Sequence, residues 1–124
     1  MTHADLVDAG DGVHAAIARP DRLAVGNAAV VDLGEQTLVV DTHISYAAAR
    51  ELKAAAEELT GRPASLVLNT HWHADHVLGN EQFAGSTIVS TARTRERGAR
   101  SAWTTKALRR RGPSCSRTGS SSGI

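Results

Sequence analysis

The chain has 124 residues, of which 41% are hydrophobic, and its net charge at neutral pH is only +1. That length fits one domain, and no run approaches the roughly 18 apolar residues that a membrane span needs. Much of the apolar content is alanine, and only four side chains are Phe, Trp or Tyr, so a thin core is expected. Residues 1–17 are acidic and lack an apolar signal core, which makes a cytoplasmic location the expectation. The single cysteine, Cys115, can form no intrachain disulfide.

The small net charge conceals an asymmetry. Residues 1–92 hold five Lys/Arg and twelve Asp/Glu, net −7, whereas residues 93–124 hold nine and one, net +8. In the first part, Val13, Ala15 and Ile17 alternate with His14, Ala16 and Ala18, which predicts a first strand ending at Arg19-Pro20 with His14 facing outward. Two apolar runs, 27–32 and 37–41, flank Gly34-Glu35 and predict a hairpin. Ala48, Leu52, Ala55 or Ala56, and Leu59 then recur every three or four residues. They mark a helix over 45–60 with Ser45 as its N-cap and Gly61 and Pro63 beyond its end. Residues 65–69 are short and apolar enough for a buried strand. A helical turn anchored by Phe83 and a short strand at 87–90 complete the periodic part of the chain.

Directly after the predicted strand at 65–69, residues 70–80 read Thr-His-Trp-His-Ala-Asp-His-Val-Leu-Gly-Asn. Imidazoles at i and i+2 point about 200° apart on a helix, so His71 and His73 converge only from an extended or looped backbone. A loop at the end of a strand lies where open α/β sheets bind ligands. On an extended segment 71, 73 and 75 share one face and His76 takes the other. Imidazole nitrogen and carboxylate oxygen are zinc donors, and two metals about 3.5–4 Å apart can activate one water. Trp72 is read as packing on neighbouring loops and Gly79 as a turn residue.

The order His-x-His-x-Asp-His, flanked by Asn69-Thr70 and Gly79-Asn80, resembles the signature of the metallo-β-lactamase superfamily. The hairpin ending in Asp41 also resembles that family's early hairpin. Position by position, the resemblance implies that His71 and His73 bind a first zinc and that Asp75 and His76 bind a second, with Asp75 the catalytic residue. It implies a hydrolase that uses a metal-bound hydroxide and up to two zinc ions, with iron or manganese as open alternatives. Asp41 has two readings. It either caps the next helix or, as the resemblance implies, stands behind the metal loop and accepts the distal N–H of a ligating imidazole; the second is preferred. His43, where the family often has glycine, is expected to be exposed.

The order of hairpin, helix, strand and metal loop suits half of an αββα sandwich. The expected architecture is therefore α/β: residues 1–95 as the N-terminal half of a metallo-β-lactamase-like domain, and residues 96–124 as a disordered basic tail. No histidine follows His76, so the ligands that the family places downstream have no counterpart. A truncated, weakly active or inactive hydrolase is expected. The tail carries Arg109-Arg110-Arg111, Gly112-Pro113 and Ser120-Ser121-Ser122. It reads either as a polyanion-binding arm or as a non-native end resembling out-of-frame translation of a GC-rich message; the latter is preferred. Expected partners are a small-molecule substrate of unknown class, and a second copy or a complementing C-terminal half; nucleic acid and membrane are not expected. The alternatives to a hydrolase are a non-catalytic metal-binding or interaction fragment and a nucleic-acid binder acting through the tail.

Overall fold

Four antiparallel strands and two parallel ones form a single six-stranded sheet whose strands lie side by side in chain order. β1 (Ala4–Gly10), β2 (Val13–Ala18), β3 (Ala28–Asp32) and β4 (Thr37–Val40) pair antiparallel in turn, and β5 (Ala64–Asn69) and β6 (Thr87–Ser90) add parallel to β4. Parallel neighbours need a crossover. Between β4 and β5 it is α1 (Tyr46–Thr60). This computed structural model describes residues 1–99. Most of the segment expected to be disordered, 100–124, lies outside the described residues.

The sequence punctuation of α1 acts as expected. The Ser45 hydroxyl accepts the Ala48 N–H at 3.1 Å, and Gly61, with φ +72°, closes the other end by donating its N–H to the Glu57 carbonyl. A helix fixed at both ends presents one face to the sheet, burying Ala48, Ala49, Leu52, Ala55 and Ala56. Its alanines bring the backbone close to Ala16, Ala28, Val30, Val39 and Val67, and Leu52 fills the centre of that layer. Truncating a buried leucine of this kind to alanine costs about 2–5 kcal/mol. Leu59 departs from the expected apolar stripe: it is exposed over a shallow groove that it shares with Met1 and Leu6.

The sequence reading missed β1, an exposed edge strand whose Asp5 and Asp8 erase any apolar alternation. It also placed β2 in the wrong phase. Ala16 is buried under α1 opposite Ala28, while Ile17 is 41% exposed on the far face. His14 shares the face of Ala16 and is half-buried rather than outward. On the far face, Val7, Ala15, Ala29, Val40, Leu68 and Val89 pair in register straight across all six strands. Val7 and Leu68 in that row remain exposed.

After β6, the Thr91 hydroxyl accepts the Thr94 N–H and starts α3 (Ala92–Ala99), so residues 96–99 continue this capped helix and do not belong to the disordered tail expected from 96. The helical turn around Phe83 is a 3-10 segment, Leu78–Phe83, and the Phe83 ring is fully buried. No helix among the described residues is long and apolar enough to cross a membrane.

Candidate metal centre

Because β4 and β5 are parallel neighbours, their C-terminal ends open side by side. The Asp41 N–H donates to the Leu68 carbonyl at 2.9 Å, setting Asp41 beside the start of the histidine loop. Asp41 is 4% exposed and has φ +60°, a left-handed conformation that L side chains rarely adopt. Three hydrogen bonds satisfy its buried carboxylate. Oδ1 accepts the Thr70 N–H at 2.8 Å; Oδ2 accepts the Thr70 hydroxyl at 2.7 Å and the His76 Nδ1–H at 2.7 Å.

This network selects the imidazole tautomers through their partners. With its own proton directed at Asp41, the Thr70 hydroxyl accepts from His71 Nδ1 at 2.9 Å. Both His71 and His76 therefore carry the proton on Nδ1 and leave the Nε2 lone pair for a ligand. Their rings lie 4.0 Å apart, and Asp41, His71 and His76 each offer a ligand atom within 4.8 Å of the others. Burial first, then the neighbouring His76 and His73, pushes the His71 pKa below the usual imidazole value. That shift favours the neutral form, which a metal ligand requires.

The other two expected ligands flank this group. Asp75 Oδ2 is 3.1 Å from His76 Nε2. Two donors on one tetrahedral zinc stand about 3.3 Å apart, so this pair fits a single ion. The His73 side chain is exposed, with its ring edge-on to His71 at 4.8 Å. Trp72 packs edge-on against His73 at 4.7 Å. The backbone is extended only as far as His73, which precedes α2 (Ala74–Val77). Asp75 and His76 thus sit on a helical turn, closed by the His76 N–H on the His73 carbonyl, and not on the extended segment expected.

Residues quoted from the sequence without this role hold the loop in place. At its base, the side-chain amides of Asn69 and Asn80 exchange hydrogen bonds at 3.1 and 2.8 Å, and the Thr42 hydroxyl donates to Asn80 at 3.0 Å. Gly79 is more than a turn residue: a Cβ there would collide with the Thr42 carbonyl and the Ala49 side chain. His43, expected on the surface, is fully buried. Its φ of +64° turns the ring inward, where Nδ1 donates to the Gly26 carbonyl at 2.7 Å, and burial lowers its pKa. Gly26 in turn lies so close to the Asp75 carbonyl that a Cβ would clash with it. Only the family's preference for glycine at position 43 could have signalled the unusual backbone.

Residues 21–112 match the family model of the metallo-β-lactamase superfamily. The chain belongs to that superfamily. Its fold is similar to a metallo-β-lactamase from Pontibacter korlensis, with TM-score 0.68, 18% identity and coverage of 80% of this chain and 48% of that one. It is also similar to one from Hirschia baltica, with TM-score 0.64, 20% identity and coverage of 76% and 46%. A third, from Pseudomonas aeruginosa in a mono-zinc form, gives TM-score 0.62 and 15% identity, with coverage of 75% and 44%. The chain thus spans just under half the length of each of these structures. No curated protein matches it.

Proposed function

We propose that this chain is the zinc-binding part of a small-molecule hydrolase, with His71, His73, Asp75 and His76 as metal ligands and Asp41 as the carboxylate that orients them. One observation carries this reading: a single buried carboxylate, through Thr70 and directly, engages Nδ1 of two imidazoles, His71 and His76, whose rings stand 4.0 Å apart. A zinc ion held there supplies Lewis acidity and lowers the pKa of water toward about 7. Asp41 keeps His76 and, through Thr70, His71 in the ligating tautomer. Asp75, half-exposed beside His76 Nε2, can share a proton with water in the same space. Iron or manganese would suit the same nitrogen and oxygen donors.

On its own donors the chain is expected to work weakly. Catalytic zinc generally has three protein ligands per ion, and no histidine follows His76. The open apolar row from Val7 to Val89 fits a covering partner, either a second copy or a complementing C-terminal half. A cytoplasmic setting, which suits the lone Cys115, belongs to the same proposal.

Esters, thioesters, lactones, β-lactams and phosphodiesters, assayed with added zinc, test this reading. The lone chain is expected to be nearly inert, with turnover appearing when the C-terminal half of a complete relative is mixed in and disappearing again with His71→Ala. Rapid turnover by the lone chain would contradict the weak-site argument. Stoichiometric zinc with no turnover in either arrangement would leave a non-catalytic metal-binding fragment.

A further inference from the structure

A small cavity lies beside His71. It holds about 220 Å³ and is lined by His71, Trp72, Arg93, Thr94 and Arg97. Its two arginines are four residues apart on α3, so they project from one helix face one turn apart. Both side chains are exposed, and among the described residues neither side chain makes a hydrogen bond or ion pair. Arg19, Arg22 and Arg62, by contrast, each lie against a carboxylate. Like charges one turn apart repel, and an anion between them removes the repulsion. Guanidinium forks match the paired oxygens of carboxylates and phosphates.

The rest of the lining adds position to charge. His71 forms one wall, and its ring is 4.0 Å from that of His76, so the cavity adjoins the candidate metal centre. Trp72 supplies an apolar surface beside the two cations, suited to the carbon skeleton that carries an anionic group.

We propose that Arg93 and Arg97 form an oxyanion subsite, and that the substrate carries a carboxylate or phosphate close to the bond that is hydrolysed. The substrate part rests on the hydrolase reading above. The anion site does not, because none of the proposed metal ligands except His71 lines it.

The test uses the full chain kept metal-free with chelator. Inorganic phosphate and, separately, acetate are titrated at low ionic strength while the His71 ring and Trp72 indole resonances are followed by NMR. Saturable shifts of both residues are expected with at least one of the two anions, and whichever binds more tightly identifies the anionic group. Arg93→Gln and Arg97→Gln should each weaken binding about tenfold, the fold-change that one charge-assisted hydrogen bond supports. Zinc stoichiometry should be unchanged in both variants. Combined Arg109→Gln, Arg110→Gln and Arg111→Gln should leave the shifts intact. Shifts that survive in the Arg93→Gln/Arg97→Gln double variant, that vanish with the 109–111 changes, or that never saturate would overturn the subsite. Loss of zinc binding in the parent chain would instead count against the metal centre and leave the metal-free titration valid.

Discussion

Asn69, the last residue of β5, and Asn80, eleven residues later, exchange side-chain amide hydrogen bonds beneath the histidine loop, where they are 1% and 2% exposed. The pair closes the loop at its base, so the ligands between are held by a covalent segment with tied ends. Asn80→Ala would leave the Asn69 amide and the Thr42 hydroxyl buried without that partner. It should destabilise the chain by about 1–3 kcal/mol, read as a lower urea midpoint. An unchanged midpoint would show that the amide pair is incidental.

Gly79 gives a sharper test because it is steric. Its missing side chain lets the 3-10 segment approach Thr42 and the Ala49 methyl on α1. Gly79→Ala should cost about 1–3 kcal/mol, the usual scale for overpacking. Gly85→Ala, at a position with no atom within 4 Å of the added Cβ, should be close to neutral when both variants are compared by thermal melt. Equal effects at the two positions would contradict the close approach.

The mixed legibility of the sequence has physical causes. α1 was readable from local chemistry alone, since Ser45 and Gly61 act on their own helix. The hairpin of β3 and β4 was readable as well, because its turn satisfies itself through the Gly34 N–H on Asp32. β1 was hidden because an exposed edge strand needs no apolar face, and Asp5 and Asp8 cost it little. The phase of β2 was misjudged because alanine, not the larger isoleucine, fits beneath a closely packed helix. Within the loop, the histidines and Asp75 stood out by type and spacing. His43 was misplaced because a backbone with positive φ reverses the direction of its side chain, and its partner Gly26 lies in a loop with no periodic signal.

The N-terminus should loosen in acid. Burial pushes the Glu51 carboxyl up, but the His3 and Thr2 backbone N–H groups and the His3 ring outweigh it and hold the pKa at about 2. A carboxyl depressed in the folded state contributes stability that is present above its unfolded value of 4.5 and is lost as pH falls toward about 2. Amide exchange at Thr2 and His3 should therefore accelerate between these limits relative to the intrinsic rate, whereas Glu51→Gln should be loosened already at pH 7. Protection in the parent that stays flat across the window would refute the clamp.

If the Asp41 carboxylate organises a metal centre on this loop, zinc affinity measured by competition with a chromophoric chelator depends on it. The parent chain should bind zinc stoichiometrically. His71→Ala with His73→Ala should abolish that binding, and His76→Ala should weaken it. Asp41→Asn should lower affinity about 10- to 100-fold, the scale of a lost orienting partner, while His14→Ala on β2 should change nothing. Zinc affinity equal in the Asp41→Asn and parent chains, or lost as fully with His14→Ala as with the loop histidines, would contradict the account.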